Sequence, residues 1–492
     1  MTAAAPVKEA PANFAYPKGI RLALIMTAMF LGMFLVALDK LIISTAVAQI
    51  TNDFSSTSDI GWYGTAYLLT NCAFLLVFGK LYTLFSVKTV FLTAVVLFEV
   101  GSVICGAAPN SVAFIVGRAI AGLGAGGVQS GVIVIIVYAV PLAKRPQYQG
   151  LFGAVYGISS VIGPLVGGAF TTNVTWRWCF YINLPLGAVV LVFVFFFLQV
   201  PSRLGTDGDL TLREKLSQLN FEGLAALLPG VICLCLALQW GGFTYSWNNG
   251  LYYLPIWFQA IKGDSAVESG IHLLPQVIAL VISSIVTGVL TSRTGYYTPF
   301  LLIGICITAV GAGLLTTLNV GTTTGMWIGY QILYGWGFGG CVQAPNMAAQ
   351  TVLPRDQVSI GAALMLFGQT LFGSIFVSIG QNVLDGELVK RLAKFATVTP
   401  AQIESAGATG LAALIPEEYH DAFLAAYNSS LRVCFVIGVI MACMSTLGGL
   451  GMEWRSVKAQ PDAGGDHTIS EAATGDVELT ESKRQNGEWQ EV

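Results

Sequence analysis

Charge is what this sequence has least of. Asp, Glu, Lys and Arg make up 10% of its 492 residues, and hydrophobic residues 54%. Soluble domains carry about 25% charged residues, so this chain cannot cover itself with polar surface in water. Its net charge of -3 argues against nucleic acid as a partner. Histidine occurs three times. The nine cysteines lie in apolar runs or near their ends, and Cys233 and Cys235 form a C-x-C without partners at zinc-ligand spacing. All nine read as lipid- or core-facing thiols, and no metal or cofactor is expected. No G-x-x-x-x-G-K-[ST] run is present to cradle ATP phosphates. No nucleophile–base set stands outside the apolar runs, so an enzyme is not expected. The first 19 residues lack an apolar signal region with a cleavage site, and the first apolar run is expected to act as an uncleaved start signal.

What the chain does have is length without charge. Twelve apolar runs lie at 20–43, 60–82, 88–108, 112–140, 149–171, 178–199, 221–240, 272–292, 299–318, 326–350, 360–382 and 431–452. A bilayer core of ~30 Å needs about 20 such residues per helix. Membrane β-barrels alternate apolar and polar residues; these runs are continuous, so helices are expected. A stub at Leu251–Ile261 is about half a span long. The fold class is therefore an all-α polytopic membrane protein. Lys80, Lys88, Lys144, Arg145, Arg203, Arg213, Lys215, Arg293, Arg355, Arg455 and Lys458 fall on one side. By the positive-inside rule that side, and both termini, are cytoplasmic. The sequons at Asn173 and Asn428 fall on the outer side, as glycosylation requires. The tail from Lys458 is polar and expected to be disordered.

Some residues inside the runs are costly there. Arg118 lies in the fourth run, followed by Gly122, Gly124, Gly126 and Gly127. The glycines suit close helix packing. The guanidinium faces a partner or a cavity, or else snorkels to the headgroups. Asp39 lies in the first run, and counting from the expected outer ends puts it within ~3 Å of the depth of Arg118. The two form either a static ion pair or a site that takes up a proton when the pair separates in a dry cavity. The fifth run holds Gly153, Gly157, Gly163, Pro164, Gly167 and Gly168, where proline kinks a helix and glycine permits bending. The stretch Trp176-Arg177-Trp178-Cys179-Phe180-Tyr181-Ile182-Asn183-Leu184-Pro185 reads as an interfacial aromatic belt.

Together these residues resemble the major facilitator superfamily, in its fungal fourteen-helix drug:proton antiporter branch, over about residues 20–455. The resemblance implies two pseudo-symmetric helical bundles. It also implies an antiporter motif at Gly157, Gly163, Pro164, Gly167 and Gly168, with proton coupling through Asp39 and Arg118. The boundaries it gives are a cytoplasmic segment at 1–19, a six-helix bundle at 20–199, a loop and linker helix at 200–250, a second bundle at 251–455 and a tail at 456–492. The chain departs from the family pattern in two places. After the second run, Gly79-Lys80-Leu81-Tyr82-Thr83-Leu84-Phe85-Ser86-Val87-Lys88 lacks the pattern's acidic residue and second glycine, although Gly288 to Gly295 echoes it weakly. About one and a half helices are missing near Gly250, which leaves twelve full spans and the stub, and the first helix of the second bundle incomplete.

Substrate in such folds binds midway across the bilayer, between the halves. The expected cavity residues are Asn71, Glu99, Gln129, Tyr156, Gln331, Tyr334, Gln343, Asn346 and Gln369, with Gln350, Tyr330 and Trp336 beside them. Each could equally be an interhelical hydrogen bond; Glu99 is the one that also reads as a second acid. The expected function is export of a hydrophobic small molecule, such as a secondary metabolite, toxin or drug, in exchange for protons. The expected setting is a monomer in the plasma membrane, with the vacuolar membrane as the other candidate. The alternatives are uptake, for instance of a siderophore, and a shortened form that does not transport.

Overall fold

Proline sets most of the helix breaks. A computed structural model describes residues 16–54, 56, 59–199, 250–264, 266–354, 357–392 and 417–458. The expected span at 221–240 lies outside the described residues, as do Cys233, Cys235, 1–15 and the tail beyond 458. Fifteen α-helices are described: α1 (Gly19–Phe54), α2 (Ile60–Leu84), α3 (Val87–Ala107), α4 (Ser111–Ala139), α5 (Arg145–Asn173), α6 (Trp178–Tyr181), α7 (Asn183–Phe197), α8 (Gly250–Ile261), α9 (Ala266–His272), α10 (Leu274–Thr294), α11 (Thr298–Leu315), α12 (Thr324–Cys341), α13 (Ala344–Val352), α14 (Val358–Leu392) and α15 (His420–Leu450). A proline removes one hydrogen bond and crowds the carbonyl four residues before it. Pro345 acts on Cys341, where α12 ends, and so divides the expected span 326–350 into two helices. Pro185 acts on Tyr181, the last residue of α6. Pro164 is different, because α5 runs through it without interruption. Nine helical stretches among the described residues are long and apolar enough to cross a membrane. No β-strand element occurs among the described residues.

The first bundle is built on α4. α3 and α2 approach it so closely that a Cβ on Gly101 or Gly124 would collide with the α3–α4 interface backbone, and one on Gly122 with the Tyr67 carbonyl. Small residues let membrane helices touch backbone to backbone. Around this axis pack Tyr67, Tyr82, Phe91, Phe98, Ile135 and Val190, all buried. In the second bundle Trp257 and Phe258 of α8 join Trp327, Phe423 and Tyr427. The twelve-residue α8 is thus held by aromatic packing, and its Trp257 Nε1 donates to Asn428 Oδ1 at 2.8 Å. The outward faces carry Val96, Val100 and Val103 on α3, Phe195 and Phe196 on α7, and Ile440, Met444 and Leu447 on α15. Such apolar exposure suits hydrocarbon, not water.

The halves meet along two helix pairs. On α5, a Cβ added to Gly150 would come within 2.5 Å of the Ser284 carbonyl, and one on Gly157 equally close to Val281 of α10. Gly288 lies against the Pro146 carbonyl in the same way. Between α2 and α14, a Cβ on Gly79 would stand 2.5 Å from Ala363 Cβ, and Cys72 and Ala73 pack near Phe367 and Leu371. Ser292 Oγ completes this contact by donating to the Ala143 carbonyl at 2.5 Å.

The chain then folds back beneath α15. Gly295 caps α10 in a left-handed conformation, φ 94°, which glycine adopts at no steric cost. Its carbonyl accepts from Val457 N at 2.8 Å, and Tyr296 pairs with Ser456. Tyr297 Oη donates to the Glu453 carbonyl at 2.9 Å, and Lys458 Nζ to the Arg293 carbonyl. Val457 is buried with Tyr297 and Met347, and Leu142 of the first half packs on them. Residues 453–458 thus form a strap over the α10–α11 turn, so this part of the expected 456–492 tail is ordered and bonded.

Candidate functional site

At the centre of the first bundle, Arg118 Nη1 donates to Asp39 Oδ2 at 2.6 Å, with the side chains 1% and 0% exposed. Arg118 faces a partner and does not snorkel. Its Nε donates to the Tyr63 carbonyl at 2.9 Å, and its guanidinium lies over the Tyr67 ring at 4.3 Å and the Phe180 ring at 5.9 Å. Asp39 Oδ1 accepts from Asn183 Nδ2 at 3.3 Å, and the same amide nitrogen donates to Ser102 Oγ at 3.1 Å. A buried ion pair is tolerable only when its remaining donors and acceptors find partners. Here four helices, α2, α3, α6 and α7, supply them or cover the pair. Beyond the apolar run at 20–43, α1 continues to Phe54, whose ring packs on Phe114 and Trp176.

The aromatic stretch after α5 also needs correction. Trp176 and Phe180 are 1% and 0% exposed and lie inside the bundle with Tyr63 and Phe114; only Trp178, at 48% exposure, faces outward. Trp176 Nε1 donates to Asp53 Oδ2 at 2.7 Å. Arg177 lies 3.5 Å from the same carboxylate and over the Trp176 ring at 4.3 Å. The stretch is a lid tied to the end of α1, and it delivers Phe180 and Asn183 to the ion pair. The sequence signal for this was the Trp-Arg pair matched by Asp53, one of the few acids near that end.

The antiporter-motif glycines have separate neighbours. Gly163 faces Leu41 and Ile42 of α1, and Gly167 faces Thr45 and Ile42, while Gly168 faces open space. Gly157 faces Val281, so α5 packs on α1 through one half of its length and on α10 through the other.

The expected cavity residues scatter. Asn71, Gln331 and Asn346 are buried with side-chain atoms that meet no partner: Oδ1 of both Asn71 and Asn346, and both amide atoms of Gln331. Tyr334 is buried and stacks with Phe338 at 6.3 Å between centroids. Gln129, Tyr156 and Gln343 are half-buried, and Gln369 is exposed. Glu99 lies apart from these, in the wall between α3 and α7, against Gly187. Gln149 and Gln276, which the sequence reading passed over, are also buried with both amide atoms unpartnered, as is Gln350. Gln149 and Gln343 line a narrow cleft between α5, α10 and α12, with Ser284, Thr287 and Thr291 opposite. Arg145, read only as a loop cation, is buried; it donates to the Val137 and Val140 carbonyls at 3.0 Å each and so caps α4. Asn173 is exposed at the end of α5. Asn428 lies inside α15 with its amide committed in both directions, to Trp257 and to the Leu318 carbonyl at 3.0 Å.

Comparison with known proteins places this geometry in context. A family profile described as Major Facilitator Superfamily matches residues 29–377. The chain is 45% identical over 499 positions to the MFS-type efflux pump MFS1 of Trichophyton rubrum, covering 90% of this chain and 93% of that protein. It is 43% identical to the efflux pump aflT of Aspergillus parasiticus, covering 92% and 99%. That alignment runs over 512 positions, more than the 492 residues of this chain, so the chain is shorter within the aligned region. Among solved structures, the proton:xylose symporter XylE bound to 6-bromo-6-deoxy-D-glucose matches with a TM-score of 0.57 at 14% identity, over 87% of this chain and 96% of that one.

Proposed function

The chain belongs to the Major Facilitator Superfamily, a family of membrane transporters of small molecules, and from that premise we propose that it exports a hydrophobic small molecule in exchange for protons. The observation that carries this reading is the buried Asp39–Arg118 pair, 2.6 Å apart, with the efflux function named for relatives such as MFS1 and aflT in support. In the closed arrangement the guanidinium stabilises the Asp39 carboxylate. If α1 and α4 shift, Asp39 loses that partner in a water-poor interior, where an unpaired charge is costly, and it takes up a proton. Return to the paired geometry releases the proton. A binding preference for one state over the other is all that coupling requires.

Motion is supplied by the halves. The positive-inside pattern assigns the end with Lys80, Lys144, Arg145 and Arg293 to the cytoplasm. On that orientation, the α5–α10 and α2–α14 contacts seal the cytoplasmic side in the state described here. Opening them exposes Gln149, Gln276 and Asn71 between the halves, and these amides offer donors and acceptors to a ligand otherwise held by Tyr334, Phe338 and aliphatic side chains. A mostly apolar pocket with a few polar groups suits a flat, hydrophobic cargo. Export out of the cell places it in the plasma membrane; sequestration would place it in the vacuolar membrane.

The test is efflux of a fluorescent hydrophobic dye from proteoliposomes with and without an imposed proton gradient. The gradient is expected to accelerate efflux, and Asp39→Asn to abolish that acceleration while leaving passive dye exchange. Equal rates with and without the gradient would overturn the coupling. No dye movement under either condition, from protein that folds and inserts, would instead favour a transport-inactive shortened form.

A further inference from the structure

Behind the ion pair stands a carboxyl that the coupling step above does not use. Glu99 is 9% exposed, and neither Oε1 nor Oε2 has a hydrogen-bond partner. It lies in the groove left by Gly187 of α7, where any Cβ would collide with its carboxyl oxygen. Gly187 follows Asn183 by one helical turn, about 5–6 Å along α7. Ser102 follows Glu99 by three residues on α3, and so shares its face. Asn183 Nδ2 joins Ser102 Oγ to Asp39 Oδ1, and Asn183 Oδ1 is itself buried without a donor. A polar file therefore runs Arg118, Asp39, Asn183, Ser102, with Glu99 one turn beyond.

The other charged and titratable groups around this file are few. α1 brings Asp39, α2 brings Tyr63 and Tyr67, and α4 brings Arg118. α6 brings Cys179 and Tyr181, whose ring covers Gly106 on the Glu99 side of α3. α3 itself adds Cys105, buried against α4. α7 carries no titratable residue. The one cation is engaged by Asp39, so nothing offsets a negative charge on Glu99. An ionised carboxylate with no donor in an apolar wall is costly, so the geometry favours the neutral acid, which stores a proton.

We propose that Glu99 is a second proton-carrying carboxyl, protonated while the α3–α7 wall is dry and exchanging its proton with water when the halves rearrange. This rests on the coupling reading above. Rearrangement of the halves brings water to the α3–α7 wall; there the O–H bond of Glu99 breaks and water accepts the proton. On closing, water returns a proton to the carboxylate before the wall dries. No oxidant or other reactant is needed, and each cycle releases one proton and takes up one.

The experiment compares Glu99→Gln, Glu99→Asp and Asp39→Asn in proteoliposomes, with dye efflux and proton movement measured together across pH. Glu99→Gln keeps the shape and neutrality of the acid, so a merely structural residue would tolerate it. Gradient-driven efflux in Glu99→Gln is expected to fall at least tenfold with its pH dependence flattened. Gradient-free exchange should stay at the wild-type rate, and Glu99→Asp should restore part of the loss. The infrared carbonyl band of a protonated acid should be present in wild type and lost in Glu99→Gln. Wild-type pH dependence and rate in Glu99→Gln, with Asp39→Asn uncoupled, would overturn this inference alone. An unaffected Asp39→Asn would overturn the coupling reading beneath it.

Discussion

Asp39 and Arg118 are an exchange-prone pair because each is satisfied by the other and by little else that is charged. Removing one partner leaves the other buried, which costs about 3–5 kcal/mol. Arg118→Ala should therefore lower the thermal midpoint of detergent-purified protein markedly, whereas the double variant Arg118→Ala with Asp39→Ala should recover much of the loss. The antiporter-motif glycines make a sharper comparison. Gly167→Ala drives a methyl into Thr45 and Ile42, and overpacking of this kind costs about 1–3 kcal/mol; Gly168→Ala meets nothing within 4 Å and should be neutral. Thermal unfolding followed by tryptophan fluorescence separates the two, and equal effects would contradict the packing. The ion pair was legible in the sequence because opposite charges in apolar runs have few places to go. The polar partners were not. Whether Asn183 or Ser102 meets Asp39 depends on how α3 and α7 are rotated about their axes, and no apolar run records that rotation.

At the scale of elements, hydropathy located spans such as Val87–Ala107 and Ser111–Ala139 to within a residue, but not where helices run on past them. α1 overruns its apolar stretch to carry Asp53 and Phe54 into the lid, since polar residues continue a helix once they have partners to meet. The breaks after Cys341 and Tyr181 were written in Pro345 and Pro185, inside runs that looked continuous by composition. The same scale explains why the aromatic stretch was misplaced. Trp and Tyr near a span end suit a headgroup belt as well as a lid, and only the Trp176–Asp53 hydrogen bond decides between them. The strap formed by residues 453–458 yields a prediction of its own. Deleting the chain from Glu453 onward removes the bond from Val457 to Gly295 and the buried Val457 side chain. Faster hydrogen–deuterium exchange is expected at Thr294–Tyr297 and in the Leu142–Lys144 turn, with the α3–α4 core unchanged. Uniform exchange in both proteins would show that the strap holds nothing.

For the molecule as a whole, the two-bundle plan came from the family resemblance that the small-residue motifs carry, while the meeting of the halves was not legible. Gly79 illustrates the gap. In sequence it begins a loop pattern whose acidic residue is missing, yet in space it admits Ala363 of the opposite half. Cysteines placed at 79 and 363, in a background whose own cysteines are replaced by serine, are expected to form a disulfide once the helices part by about 1 Å, to the ~3.8 Å between Cβ atoms that the bond needs. That bond should arrest dye efflux, and a reducing agent should restore it. Failure to cross-link in any condition would show that these helices do not meet.

The contact between halves has a further physical consequence. Among the described residues every ion pair joins groups within one half, and the seam is glycine against carbonyl, methyl against methyl, and neutral hydrogen bonds from Ser284 and Ser292 to the Gly150 and Ala143 carbonyls. Separating such surfaces breaks dispersion contacts and uncharged hydrogen bonds, which dissolved salt screens little. The opening rate should thus be indifferent to ionic strength, and should respond instead to lateral pressure in the bilayer and to the chain length of the surrounding lipid.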